Sequence, residues 1–119
     1  MKYLLIIAHG SRRAGSNEEI GQIAKLVAGQ PGNSFDHVSS AFLEIAKPSI
    51  PEGINDCIAK GATHITILPY FLAAGRHVVE DIPNEVKMVD YDSEKVTIVI
   101  KPHIGAADNI PQTILELSS

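Results

Sequence analysis

The sequence predicts an α/β domain built on a four-stranded parallel sheet with helices on both faces. Three observations carry that prediction. Strand-like runs recur at Tyr3–Ala8, Phe35–Phe42, Thr63–Leu68 and Val96–Ile100. Segments with apolar residues at helical spacing lie between them and after the last. The first run is apolar at every position, as a strand buried on both faces requires. Strands that alternate with helices pair in parallel, and their crossovers are right-handed.

Each element has its own local signal. After the first strand, Ser16 or Asn17 is the expected helix cap, with Glu18 and Glu19 in the first turn. Ile20, Ile23, Ala24, Val27 and Ala28 form one stripe, and Gly29 ends the helix. Gln30-Pro31-Gly32-Asn33 is a loop leading to the second strand. Pro48–Lys60 is a second helix, with Ile50, Ile54, Cys57 and Ile58 on its apolar side and Gly61 at its stop. The third strand is β-branched and apolar, and a loop from Pro69 to Arg76 follows it. A helix is expected from His77 to Met88, with Asp81 and Pro83 bracing its course, and another from Asn109 to Leu117.

The chain has 119 residues, the size of one domain spanning 1–119. Its 45% hydrophobic and 20% charged content is that of an ordinary soluble protein able to bury a core without staples. A net charge of -4 gives no basis for bulk nucleic-acid binding. One cysteine, Cys57, excludes an internal disulfide, fits a reducing cytoplasm and belongs on the core side of its helix. No signal peptide is expected before His9, and no run reaches membrane-spanning length. Walker-type and Rossmann glycine loops and paired cysteine motifs are absent, so no nucleotide or structural zinc is expected.

Parallel sheets bind ligands outside the carboxyl ends of their strands. The residues that follow the four strands therefore converge on one edge. They are His9-Gly10-Ser11-Arg12-Arg13, Leu43-Glu44, Pro69 to His77, and Lys101-Pro102-His103. Imidazole with carboxylate is a donor set for iron, cobalt, nickel or zinc, and imidazole near neutral pH also accepts a proton. Arg12, Arg13 and Arg76 can grip acid groups through paired hydrogen bonds. The apolar Phe71-Leu72-Ala73-Ala74 loop would wall a pocket for a flat, greasy ligand with an acidic rim. His37 and His64 fall at strand starts, on the opposite edge.

These segments are familiar in combination. A strand ending in HGSR, a second ending in AFLE before KPSI, and a third running into PYFLAAGRHVVEDIP resemble the class II chelatase family. They are most similar to its short CbiX-type sirohydrochlorin cobaltochelatases. The likeness covers nearly the whole chain, including Ile104-Gly105, and its third segment is the most specific. It implies a chelatase-like half-domain with flavodoxin-like layering. It also implies insertion of a divalent metal into sirohydrochlorin without ATP, in cobalamin or other tetrapyrrole synthesis. Cobalt is favoured as metal substrate, with nickel or iron as alternatives. The family's two active-site histidines match His9 and His77, and its acidic residue matches Glu44. These three are the expected metal donors, with His9 and His77 also catalytic. Ser11, Arg12, Arg13, Phe71 and Arg76 are the expected contacts to the tetrapyrrole. Short members act as homodimers with the cleft between subunits.

Other readings remain open at this level. His9 can serve a turn, His77 can start a helix, and Glu44 can be a solvated acid that offsets Lys47. The arginines are individually ordinary surface cations, and His103 is near enough to approach the site without being required by the resemblance. A domain that only holds metal or tetrapyrrole would use the same donors. A histidine phosphatase also places His-Gly after its first strand, but Ala8 stands where that motif needs an arginine.

Overall fold

The structure, a computed structural model describing residues 1–119, has the expected alternation of elements. The strands are β1 (Lys2–Ala8), β2 (His37–Phe42), β3 (His64–Pro69) and β4 (Thr97–Ile100). The helices are α1 (Ala14–Ala28), α2 (Ile50–Ala59), α3 (Ile82–Lys87) and α4 (Ile110–Ser118). A π-helical turn, His77–Asp81, leads into α3, and a short 3-10 turn, Ile104–Ala106, precedes α4.

The sheet order is β2-β1-β3-β4, and every pair is parallel. Central β1 aligns Ile6 with Ser40 on one side and with Leu68 on the other. Tyr3 through Ala8 are all buried, which explains the unbroken apolar run. Alternate residues face opposite layers. Tyr3, Leu5 and Ile7 join Ile50 and Ile54 of α2 and Ile82 and Val86 of α3 in the larger core. Leu4 and Ile6 join Ala24 of α1 in a smaller core, with Ile20, Ile23 and Val27 packed around it. Cys57 is 2% exposed in the larger core, and burial pushes its thiol above the ordinary value.

Several boundaries differ from the sequence reading for identifiable reasons. Helix α1 starts at Ala14, with Arg13 in the cap position and no side-chain cap bond. Asn17 is used elsewhere: its side chain bonds both the N–H and the C=O of Ser11. Strand β2 begins at His37, because the Asp36 carboxylate accepts the Lys2 N–H at 2.8 Å just before regular pairing starts. Helix α2 begins after Pro48, where Ser49 and Glu52 form a reciprocal capping box. The bond from the Ser49 N–H holds the Glu52 carboxyl below its ordinary value.

Helix α1 packs on β2 and β1, while α2 and α3 lie on the other face. Over β3 and β4 the α1 face has no helix, and Val99 is 41% exposed there. Helix α4 does not fill that gap. It makes no substantial contact with any strand or helix, and Ile114, Leu115 and Leu117 are exposed. No helix is long and apolar enough to cross a membrane.

Candidate active site

The site grows from the ends of β1, β2 and β3. The register pairs Ala8 with Phe42, so the residues just past both strands are neighbours by construction. Main-chain bonds then extend the ladder into the loops: the Leu43 N–H donates to the Ala8 carbonyl, and the Glu44 N–H donates to the His9 carbonyl. Gly10 adopts φ +97° and lies against the backbone of Glu44. A Cβ at this position would overlap the Glu44 carbonyl oxygen, and the left-handed φ also disfavours a side chain. Glycine is thus required where the two loops touch.

This frame brings His9 and Glu44 together, with Nε2 and Oε1 3.2 Å apart. The other ring nitrogen, Nδ1, lies 3.0 Å from the Gly10 carbonyl. A carbonyl only accepts, so Nδ1 carries the hydrogen. Both nitrogens of His9 therefore face acceptors. A second proton or a metal cation could bridge Nε2 and the Glu44 carboxylate, which is chemistry suited to exchanging one for the other.

His77 comes from the π-helical turn after the β3 loop, and its ring centroid lies 4.9 Å from that of His9. Its Nδ1 is 2.8 Å from Asp81 Oδ2. Phe71 flanks it, with ring centroids 6.2 Å apart. The β3 loop is steadied by the Gly105 N–H, which donates to the Phe71 carbonyl. Glu44 and Asp81, the partners of the two histidines, also line an open cleft of about 220 Å³ with Leu43, Asn84 and Glu85.

The structure thus gathers His9, Glu44, His77 and Phe71 at one sheet edge. Glu44 faces His9, not Lys47. His9 meets Glu44 on one side and the His77 ring on another, but the three do not close a cage: no three His, Cys, Asp or Glu side chains are placed to hold one ion. Ser11 is anchored by Asn17, and its hydroxyl accepts the Arg13 N–H. Arg12 and Arg13 are exposed beside it. Arg76 is also exposed and pairs with Glu80 on its own helical turn at 3.4 Å. His103 lines a different groove, with Leu68, Pro102 and Ile104. His37 stacks on Tyr3, and His64 bonds Thr63, both at the far edge. Asp81 and Asn17, expected as a helix brace and a cap, both serve this edge. The four-residue spacing of His77 and Asp81 was the available signal for the first.

The family model described as CbiX matches residues 3–119. The chain belongs to the CbiX family. Among its CbiX-family relatives, a sirohydrochlorin cobaltochelatase of Methanococcus aeolicus is 38% identical over 140 aligned residues, covering 98% of this chain and 96% of that protein. A sirohydrochlorin ferrochelatase of Priestia megaterium is 29% identical, covering 98% of this chain but 43% of its own length. A solved structure described as a putative cobalamin biosynthesis CbiX protein, from Marinobacter aquaeolei, superposes with a TM-score of 0.79 at 28% identity, covering 99% of this chain and 94% of that one. SirB from Bacillus subtilis, solved with Fe3+, gives a TM-score of 0.84 at 27% identity over 97% of this chain and 45% of SirB. This CbiX chain therefore matches some relatives end to end and others over about half their length.

Proposed function

We propose that this protein inserts a divalent metal into sirohydrochlorin without nucleotide, with Co2+ the favoured metal substrate. The observation that carries the reading is the facing pair of imidazoles, His9 and His77, each already against a carboxylate. Metal insertion exchanges one divalent cation for two pyrrole N–H protons. A site for this reaction must offer donors that hold a cation loosely and groups that then take protons. The His9–Glu44 contact does both in turn: as the cation leaves, its gap takes one proton, and the second passes to solvent at this open edge. A closed three-ligand cage would retain the metal, and the open arrangement favours release to the macrocycle. In this reading His9, His77 and Glu44 present the metal while Phe71 supplies an apolar wall. Ser11, Arg12, Arg13 and Arg76 meet the acid side chains of the ring. Exposure leaves Arg12 and Arg13 free to reorient on binding, and Arg76 would exchange Glu80 for an acid group of the ring.

The same reading makes the working unit a homodimer in the cytoplasm. Relatives such as SirB are about twice as long, and this chain leaves half of one sheet face and all of α4 without cover. A second copy supplies what those relatives carry in one chain. Iron is the second candidate metal, supported by the ferrochelatase relatives.

The test mixes purified protein with sirohydrochlorin and Co2+, Ni2+ or Fe2+ separately without air, and follows the ring absorbance against a no-protein control. Wild type should accelerate insertion, most strongly with Co2+, and His9→Ala should lose about 100-fold or more of the acceleration. Folded protein that accelerates no metal would leave a binding domain and overturn the enzymatic reading.

A further inference from the structure

We propose that Asp81 is a positioning residue for His77, fixing which imidazole nitrogen faces the metal. The inference rests on the reading of His77 as a metal donor. Asp81 Oδ2 lies 2.8 Å from His77 Nδ1, closer than Glu44 approaches His9. A carboxylate offers no hydrogen, so Nδ1 supplies the N–H, and the neutral ring then keeps its lone pair on Nε2. Such carboxylate–histidine pairs orient metal-binding imidazoles and strengthen them as donors.

Three further features tie Asp81 to this task. It makes no cap bond to the α3 backbone, so its carboxylate is not used by the helix that it precedes. It sits in a π-helical turn closed by the bond from the Ile82 N–H to the His77 carbonyl, five residues back. Such turns are rare and frequent at functional sites. Its neighbour Ile82 is fully buried, which pins the Asp81 backbone to the core. The Phe71 ring is a tilted neighbour of the His77 ring, with centroids 6.2 Å apart. His9 reaches the same end by another route, since its Nδ1 hydrogen goes to a main-chain carbonyl. Both histidines present Nε2, one held by backbone and one by a side chain that mutation can remove.

The experiment uses the full chain and two readouts. The first is the nitrogen and proton NMR signature of the His77 ring without metal. Wild type should show the Nδ1–H tautomer alone, and Asp81→Ala an exchanging mixture. The second is Co2+ titration followed by visible absorption, without tetrapyrrole. Asp81→Ala should weaken Co2+ binding by about 10–100-fold. Asp81→Asn, which keeps a carbonyl acceptor for Nδ1–H, should retain the tautomer and recover most of the affinity. An unchanged tautomer in Asp81→Ala overturns the proposal. So does an equal loss of Co2+ binding in the Ala and Asn variants with the tautomer intact, which would make Asp81 itself a donor. If His77→Ala binds Co2+ as wild type does, the metal-donor reading falls, while the tautomer spectra still report separately on Asp81. Should circular dichroism show Asp81→Ala unfolded, Asp81→Asn and Asp81→Glu carry the same readouts.

Discussion

The two ends of this sheet are finished to different degrees. Around β1 and β2 the strand ladder continues past the strands, and Gly10 nests on the Glu44 backbone. Around β4 one sheet face is open, and α4 rests on nothing substantial. The first region is built like the interior of an enzyme and the second like one side of an interface. The difference teaches that this chain preorganises the edge that gathers His9, Glu44 and His77 and leaves the α4 side without cover. Preorganisation is costly to disturb, whereas a waiting surface is cheap to disturb until its partner arrives.

The largest effect in this comparison should come from Gly10→Ala. Left-handed backbone strain alone costs about 1–3 kcal/mol, and the new Cβ would also collide with the Glu44 carbonyl. We expect a clear fall in the urea midpoint together with loss of chelatase rate. A stable, active Gly10→Ala protein would show that the two loops are not locked.

An intermediate effect is expected at the start of α2. Ser49→Ala removes one half of the capping box and should cost about 1 kcal/mol in denaturant unfolding at neutral pH. The other half, Glu52, has a carboxyl pKa lowered in the folded state, so its contribution is present above the ordinary value of 4.5 and fades as pH falls below it. Glu52→Gln should therefore differ from wild type at pH 7 and converge with it in acid. A constant difference across that range would show that the carboxylate charge adds nothing to the box.

The smallest effect on folding should come from Leu117→Ser, since Leu117 is 83% exposed. Its unfolding free energy should move by less than about 0.5 kcal/mol in dilute solution. Sedimentation at rising concentration should nevertheless show weaker self-association than wild type. Equal association would remove α4 from the waiting surface and blunt the contrast between the two ends.

Much of this was legible in the sequence, and the reasons differ by element. Strand β1 announced itself because burial on both faces demands an apolar residue at every position from Tyr3 to Ala8. The meeting of His9 and Glu44 followed from parallel pairing, since both stand just past adjacent strands. Local side-chain contacts with two possible roles were hidden. Asn17 resembles a cap, and only the folded loop shows it clasping Ser11. Asp81 resembles a helix brace, because an acid four residues after a histidine has the same spacing in either role. The closing helix expected at Asn109–Leu117 is present as α4, but its helical spacing does not say which body it packs against.

The bond from the Glu44 N–H to the His9 carbonyl acts as a ruler. It is made by main chain, so nearly any residue at either position leaves the spacing between the two backbones unchanged. Tuning the gap is left to side-chain reach: aspartate in place of Glu44 would withdraw the oxygen by one methylene without moving a loop. Descendants of such a frame can widen or narrow the gap between His9 and its carboxylate through a single codon while the scaffold stays fixed.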